Sequence, residues 1–181
     1  MDYIQAVKLV LKENTTFDLY FMDGSVKRYD ILSLSDKFPQ LNALKDRKLF
    51  LQGKLPGWGG VIWNDELDIC CETVYEDGVD VTNEYDDIDI VVFGYKVKRR
   101  RLELDLSQSE LAKRIGIDQS DLSKVEKGLA NPTYKMMKRI AKALDCNLDI
   151  DLTHFSKKSP TSFYWWLPLY VGDELQSASQ S

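Results

Sequence analysis

The chain has 181 residues, of which 44% are hydrophobic and 29% charged, and a formal net charge of −5. This is the composition of an ordinary soluble globular protein, long enough for one domain with an extension or for two small domains. The first residues lack the basic and apolar regions of a signal peptide, and no stretch approaches the roughly 18 apolar residues of a membrane span. We therefore expect a cytoplasmic protein that does not enter a membrane.

The charge is unevenly distributed along the chain. Residues 1–95 carry 9 basic and 18 acidic side chains, residues 96–144 carry 13 basic and 6 acidic ones, and residues 145–181 carry 2 basic and 5 acidic ones. A basic segment between acidic flanks is what a DNA-reading domain requires. A small helical domain with many surface lysines is the alternative interpretation of the same excess.

The beginning of the chain has the pattern of a small antiparallel sheet. Residues 3–12 are rich in β-forming side chains, and alternating apolar and polar side chains over residues 17–21 predict a half-buried strand. Asp23-Gly24 is a favoured dipeptide for a two-residue hairpin turn, so residues 26–31 should return antiparallel. Asn14-Thr15 provides an earlier turn and completes a three-stranded meander.

The elements that follow complete a small α+β domain. A short helix is expected after Pro39, with Leu41 and Leu44 facing inward. Residues 55–60 should form a loop, and residues 60–71 then have the alternation and the central turn of a second pair of strands.

This part of the chain resembles a small bacterial family, domain of unknown function 2442. The resemblance covers residues 1–75 and rests on FDLYFMDGSVKRYDI, on the leucine-rich segment to Leu49-Phe50 and on GVIWNDELDI…VY. Members of that family occur alone or fused to helix-turn-helix domains, and some are encoded beside toxin-like genes. The resemblance implies an antitoxin-related setting and transfers no catalytic residues.

An acidic stretch comes next. Residues 72–89 contain eight acidic residues and no lysine or arginine. We interpret residues 76–92 as an acidic linker or inter-domain segment, whose apolar residues at 88 and 90–93 pack the two domains together. The alternative is an acidic arm that competes with DNA for the basic domain or docks a basic partner.

Residues 107–128, SQSELAKRIGIDQSDLSKVEKG, predict two short helices joined by a tight turn. Ser107 and Glu110 form a capping box for the first helix, and Gly116 supplies the backbone freedom that the turn needs. Asp118 is the expected N-cap of the second helix. Two short helices around a glycine-containing turn are a helix-turn-helix. The predicted core consists of Leu111, Ala112, Ile117, Leu122, Val125, Ile140 and Leu144.

The fragments LSQSELA, GI, LSKVEKG, NP and IAKAL resemble the Cro/repressor type (XRE family) of helix-turn-helix domain over residues 96–144. The resemblance implies an all-α domain that binds double-stranded DNA, with an internal ion pair between Arg101 and Glu126. Asp105 and Asp145 stand where the family often has glycine, and aspartate tolerates the left-handed backbone that glycine provides. Since one recognition helix reads only a few base pairs, we expect a homodimer on an inverted repeat.

The helix that starts at Gln119 is the predicted recognition helix, whose N-terminal residues face base edges in the major groove. Glutamine suits adenine, lysine suits guanine, and serine suits either. Asp121 is unfavourable toward phosphate, so we expect it to face a cytosine amine or to cap the helix start. The residues expected to read bases are Gln119, Ser120, Ser123 and Lys124.

A second set of residues is expected to contact phosphates. The family resemblance implies that Gln108 touches phosphate and braces the recognition helix, at a helix start whose free N–H groups favour anions. Pro132 suits the first position of the next helix. The other predicted phosphate-binding residues are Asn131, Lys135, Lys98, Arg99 and Arg100.

The end of the chain departs from the helical pattern. Residues 147–171 begin with strand-like alternation, and strands from two protomers would pair as a dimer element. SFYWWLPLY, at residues 162–170, either folds against its own protein or binds a partner. The short, polar end should be disordered. The predicted division is 1–75, 76–92 (linker), 93–146 (helix-turn-helix), 147–171 (extension) and 172–181 (tail).

The cysteines do not indicate a metal site. Cys70 and Cys71 are adjacent and cannot easily pair with each other, and Cys146 is distant in sequence. We expect reduced, mostly buried thiols, with a redox switch at Cys70-Cys71 as the alternative.

Nothing in the sequence predicts catalysis or a cofactor. His154 is the single histidine and has no paired nucleophile or metal-ligand spacing. Asp65, Glu66 and Asp68 could form an acid/base pair, but no nucleophile motif or glycine-rich phosphate loop accompanies them.

The sequence thus predicts an α+β N-terminal domain with a small antiparallel sheet, an all-α helix-turn-helix domain, and a strand-like, aromatic-rich extension. The expected function is that of a sequence-specific DNA-binding transcriptional regulator, a dimeric autorepressor that associates with the bacterial nucleoid when bound to DNA. The alternative is an antitoxin-like module that holds a toxin or another protein, with DNA binding as autoregulation.

Overall fold

The structure is a computed structural model that describes residues 4–56 and 60–149. Residues up to Leu148 belong to one structural unit. The strands are β1 (Ala6–Leu11), β2 (Thr16–Phe21), β3 (Val26–Asp30), β4 (Gly60–Asn64), β5 (Leu67–Cys70) and β6 (Val79–Asp80). The α-helices are α1 (Arg47–Phe50), α2 (Cys71–Asp77), α3 (Ile88–Glu103), α4 (Gln108–Ile115), α5 (Gln119–Glu126) and α6 (Tyr134–Ala143). The predictions for residues 150–181, which include His154, the aromatic run and the tail, lie outside the described residues.

The first three strands form the predicted antiparallel meander, and β6 extends the sheet to the order β1-β2-β3-β6. Asn14 lies in the first turn with a φ of +56°. The second turn contains three residues rather than two, because the Phe21 N–H donates to the Ser25 carbonyl at 2.8 Å and the Gly24 N–H donates to the Phe21 carbonyl at 3.1 Å. Gly24 has a φ of +87°, which glycine adopts without a steric penalty.

Strand β2 is buried on both faces, so the prediction of a half-buried strand is wrong. On one face, Phe17 packs edge-on against Trp63 in the main core. On the other face, Asp18 and Tyr20 are also buried, because Tyr85 lies over them. Alternation of apolar and polar side chains identifies the two faces of a strand, but it does not show that a distant segment covers the polar face.

The main core lies between the sheet and the segment that follows β3. The predicted short helix after Pro39 is a 3-10 helix, Pro39–Lys45, in which Leu41 and Leu44 are buried as expected. The β4–β5 hairpin adds Trp63, whose indole N–H donates to the carbonyl oxygen of Phe50 at 2.8 Å. These contacts give the N-terminal half its own hydrophobic core.

The acidic stretch lies against basic residues of the sheet. Asp80 pairs with Lys27 at 3.1 Å, and Glu84 pairs with Arg28 at 2.8 Å. The stretch contains β6 and a 3-10 helix, Thr82–Glu84. Asp80 and Glu84 are thus paired with basic residues of β3, and the interpretation of the stretch as a linker or as an acidic arm stays a prediction. The domain boundaries placed near residues 75 and 93 stay a prediction.

A buried carboxylate anchors this stretch. Asp18 is 0% exposed and accepts two hydrogen bonds from Arg28, at 2.8 and 2.9 Å, and one from the Tyr85 hydroxyl. Burial by itself would raise the pKa of Asp18, but the hydrogen bonds from Arg28 and Tyr85, with the charges of Arg28 and Lys12, hold that pKa below its usual value. Since Arg28 also bonds Glu84, the segment that leads into α3 is fixed to the sheet.

Helix α3 packs against both halves of the unit. Its first turns place Ile88 and Val91 in a cluster with the sheet, and its second half places Val97 in the core of the following helices. Between these contacts, a Cβ at Gly94 would lie 2.1 Å from the carbonyl oxygen of Val125. Only glycine therefore permits this close approach of α3 to α5, although glycine is unfavourable within a helix.

Helices α4, α5 and α6 follow with short connections. Helix α6 begins at Tyr134, so the prediction that Pro132 is its first residue is wrong. Thr133 is the N-cap, because its hydroxyl oxygen accepts a hydrogen bond from the Met136 N–H at 3.3 Å. Pro132 precedes the cap and still limits the conformation of the chain that enters the helix.

The helical core contains all seven residues predicted for it, with Ile117 at its half-buried margin. Asp105 and Asp145 have φ values of +53° and +55°, the left-handed conformation that aspartate tolerates. The buried members of this cluster are Val97, Leu111, Ala112, Ile115, Leu122, Val125, Ile140 and Leu144.

The three cysteines are free thiols. Only Cys71 is buried, so the expectation of mostly buried thiols is wrong; Cys70 lies on the outward side of β5, and Cys146 is exposed. Burial, together with the charge of Glu72, raises the pKa of Cys71 to about 11. In the described parts of the chain, no helix is long and apolar enough to span a membrane, and no group of acidic, histidine or cysteine side chains could hold a metal ion.

Candidate nucleic-acid interface

The start of α4 and the turn after it set the geometry of the helix pair. The Ser107 hydroxyl accepts from the Glu110 N–H at 3.1 Å, and the Glu110 carboxylate accepts from the Ser107 N–H at 2.7 Å, which forms the predicted capping box. Gly116 ends α4 with a φ of +74°. Asp118 occupies the N-cap of α5, although its side chain makes no capping hydrogen bond. Helices α4 and α5 therefore form a helix-turn-helix.

Helix α5 has one buried and one accessible face. Leu122 and Val125 are buried against the core. Ser120 and Lys124 lie one helical turn apart and face away from that core, and both are exposed. Of the other residues predicted to read bases, Gln119 is exposed and Ser123 is half-buried.

A hydrogen-bonded chain of side chains links α3, α5 and α4. Glu126 and Arg101 form a buried ion pair, with Arg101 Nε and Nη2 at 2.6 and 3.0 Å from the carboxylate oxygens. Gln108 Nε2 donates to the same carboxylate at 2.8 Å. Gln119 Nε2 then donates to Gln108 Oε1 at 2.6 Å. Gln119, the first residue of α5, is thus connected through Gln108 and the Glu126 carboxylate to the interior of the domain.

This chain determines the orientation of each amide group. The side-chain oxygen of Gln108 accepts from Gln119 and its nitrogen donates to Glu126, so the amide of Gln108 has one N–H left for another acceptor. Glu126 is 1% exposed and Arg101 8% exposed, which keeps the ion pair away from solvent. The arrangement places Gln108 as a brace for the start of α5.

Lys124 is paired with Asp121. Its Nζ lies 3.1 Å from Asp121 Oδ1, and both side chains are 58% exposed. Asp121 therefore bonds a neighbour on α5 rather than capping the helix start. The sequence indicates this pair, because opposite charges three positions apart lie close together on a helix surface.

Two of the predicted phosphate-binding residues are engaged elsewhere. Arg99 and Arg100 both bond Glu103, at 3.0 and 3.2 Å, and Arg100 also donates to the carbonyl oxygen of Leu144 at 3.3 Å. The hydrogen bond from Arg100 to Leu144 ties the end of α3 to the end of α6. Lys98 is exposed on α3.

The loop between α5 and α6 carries the remaining predicted contacts. Asn131 lies in this loop and Lys135 in the first turn of α6, and both are exposed. Leu129 and Tyr134 are large apolar residues that are also exposed here, which sequence patterns did not predict. The loop between α5 and α6 and the first turn of α6 therefore present both polar and apolar side chains to solvent.

Comparisons with known proteins agree with this geometry. The Helix-turn-helix family model (HTH_3) matches residues 97–150. An uncharacterized HTH-type transcriptional regulator of Archaeoglobus fulgidus is 32% identical over 54 residues, which represent 30% of this chain and 76% of that protein. The chain belongs to the helix-turn-helix family. The family model covers the second half of α3 and helices α4 to α6. The resemblance of residues 1–75 to domain of unknown function 2442 stays a prediction.

Two solved structures are also similar to this member of the helix-turn-helix family. The restriction-modification controller protein C.AhdI from Aeromonas hydrophila is 34% identical, with 34% of this chain and 88% of that chain covered and a TM-score of 0.33. NE0471 from Nitrosomonas europaea, described as a candidate DNA-binding protein, is 17% identical, with 76% of this chain and 84% of that chain covered and a TM-score of 0.37.

Proposed function

We propose that this helix-turn-helix protein is a non-enzymatic, sequence-specific regulator of transcription that reads double-stranded DNA with the N-terminal half of α5. The observation that carries the proposal is the exposed polar face of α5, held in place by the Gln119–Gln108–Glu126 chain of hydrogen bonds. In a helix-turn-helix the second helix enters the major groove and the first crosses the backbone. The similarity of 54 residues of this chain to an HTH-type transcriptional regulator of Archaeoglobus fulgidus supports the same role.

The residues that we expect to contact DNA fall into those that read base edges and those that bind phosphates. Gln119, Ser120, Ser123 and Lys124 lie on the first two turns of α5, which is the part that reaches base edges in this arrangement. Gln108, at the first position of α4, has one amide N–H left after its two bonds within the protein, and a phosphate oxygen is the acceptor we assign to it.

The availability of the other predicted phosphate-binding residues depends on the ion pairs that they form within the protein. Lys98, Asn131 and Lys135 are exposed and able to reach phosphates. Arg99 and Arg100 would first have to leave Glu103, so we expect them to add less to DNA affinity.

The regulator should act as a dimer on an inverted repeat and repress its own gene. A single helix reads too few base pairs to select one site in a genome, whereas two half-sites about one DNA turn apart provide that selectivity. A dimer with roughly 6 to 10 phosphate contacts should bind DNA with a strong salt dependence, because each contact releases a counterion.

Fluorescence anisotropy with a labelled duplex from the region upstream of the gene tests the proposal. At about 150 mM salt, the protein should bind this duplex at least about 1,000-fold more tightly than a scrambled one. Gln119→Ala should relax this preference, and Gln108→Ala should weaken binding to both duplexes alike. Lys113→Ala, which removes an exposed charge on α4, is the control for charge alone. Equal, weak binding of the wild type to both duplexes would count against an autoregulator.

A protein-holding role, as in the antitoxin-like alternative, is the second candidate. One observation favours it: in the described part of the chain, β1 is an outer strand of the sheet and pairs only with β2. Such an edge can accept an extended segment of a partner by strand addition. Co-expression with the products of adjacent genes, followed by size-exclusion chromatography, would detect a stable complex, and separate elution of every product would reject this candidate.

A further inference from the structure

We propose that Asp121 and Lys124 act together to read the order of keto and amino groups in one base pair, with guanine preferred on the Lys124 side. The proposal rests on the proposed function, since it assigns a specificity to the same face of α5. It starts from the ion pair that these two side chains form in the free protein, with Lys124 Nζ 3.1 Å from Asp121 Oδ1.

The position of the pair on α5 makes it accessible to DNA. Lys124 lies opposite the buried residues Leu122 and Val125, and Asp121 lies beside it, one turn nearer the helix start. Both side chains are 58% exposed. The helix thus presents a donor and an acceptor side by side on the part that enters the major groove.

The chemistry of the pair matches a G·C base pair. In the major groove, guanine presents the acceptors O6 and N7, and cytosine presents the N4 amino donor. O6 and N4 are joined by a base-pair hydrogen bond and so lie about 2.9 Å apart. Lys124 has two N–H groups left after its bond to Asp121, and the carboxylate retains further lone pairs. Lysine can therefore donate to O6 and N7 while aspartate accepts from N4, without breaking the ion pair.

The other base pairs are ranked by the same rule. An inverted pair, C·G, would put the amino group against Lys124 and O6 against Asp121, so two donors and two acceptors would face each other. A·T presents its amino and keto groups in that same unfavourable order. T·A restores the keto-to-amino order, but thymine offers a methyl group where guanine offers N7. The expected order of preference is G·C, then T·A, then A·T and C·G.

A simpler role for Asp121 makes a different prediction. If the carboxylate only neutralised Lys124 and repelled phosphates, its removal would tighten binding to all duplexes by a common factor. If it reads a base, its removal changes the preference at one position and leaves the others as they were. Specificity at single positions therefore distinguishes the two roles.

The experiment uses the full-length protein and the duplex that it prefers. Each base pair of one half-site is changed to the other three, and affinities are measured by anisotropy competition for the wild type, Asp121→Ala and Asp121→Asn. Asp118→Ala is the matched control, because it removes an exposed carboxylate from the N-cap of the same helix, where the side chain makes no capping bond.

The wild type should prefer G·C to C·G at one position by about tenfold or more. Asp121→Ala should reduce this ratio to less than about threefold there and leave the ratios elsewhere unchanged, while Asp118→Ala should change all affinities alike. Asp121→Asn should admit A·T at that position, since an amide can both donate and accept. Unchanged ratios in Asp121→Ala at every position would overturn the inference alone. A wild type that discriminates between no duplexes would overturn the proposed function as well.

Discussion

Replacement of Glu126 by glutamine should destabilise the helix-turn-helix far more than neutralisation of an exposed carboxylate. In the folded protein, the carboxylate accepts two hydrogen bonds from Arg101 and one from Gln108. A glutamine has the same shape, but it presents one N–H₂ group toward these donors and leaves the Arg101 charge without a counterion at 8% exposure. Removal of one partner from a buried ion pair costs about 3–5 kcal/mol.

This loss is a large fraction of the unfolding free energy, which is about 5–15 kcal/mol for a typical domain. Urea denaturation followed by circular dichroism at 222 nm measures it. Glu103→Gln is the control, because Glu103 also bonds two arginines but is exposed, so solvent screens these pairs and their loss should lower the stability far less. The double variant Arg101→Met with Glu126→Leu should recover most of the stability, since buried pairs replaced by apolar residues are often neutral. Equal losses of unfolding free energy in Glu126→Gln and Glu103→Gln would show that the buried ion pair contributes no more than the exposed one.

Three further predictions concern the remainder of the structure. Gly94→Ala should lower the urea midpoint of unfolding far more than Lys96→Ala. The Cβ of an alanine at position 94 would lie 2.1 Å from the Val125 carbonyl oxygen and push α3 away from α5. Equal midpoints for the two variants would contradict this close approach. The pKa of Asp18 is lower in the folded than in the unfolded chain, so its stabilising contribution is complete above about pH 4 and is lost as the pH falls further. The difference in unfolding free energy between pH 7 and pH 3 should therefore be smaller in Asp18→Asn than in the wild type, and an unchanged difference would exclude this role. Cys71 should be the slowest of the cysteines to react with iodoacetamide at pH 8, since it is buried and its pKa is raised to about 11. Mass spectrometry of peptides after timed alkylation measures the three rates. A Cys71 rate equal to those of Cys70 and Cys146 would show that its thiol is accessible.

The helix-turn-helix was predictable because its signals are local. The capping box at Ser107 and Glu110, the glycine at 116 and the apolar spacing of α4 and α5 each act within a few residues of the chain. The two left-handed aspartates were predictable for the same reason, since they follow directly after helices that must end. Interactions between residues close together in the chain determine such features, so a single sequence is sufficient to predict them.

The features that were missed depend on residues that are far apart in the chain. Strand β2 is buried on its polar face because Asp18 receives bonds from Arg28 and from Tyr85, which is 67 positions away. The acidic stretch pairs with basic residues that precede it by more than 50 positions, as in the pair of Lys27 and Asp80. Composition shows that such charges exist, but it does not show which of them meet.

Site-specific photocrosslinking shows directly whether α5 enters the DNA groove. A photoreactive group is attached to Ser120→Cys, or to Lys142→Cys on α6 as the control, in protein whose exposed Cys70 and Cys146 are replaced by serine. After irradiation with the preferred duplex, we expect base crosslinks within each half-site from position 120 and few or none from position 142. Base crosslinks from position 142 with none from position 120 would contradict the assignment of α5 as the reading helix.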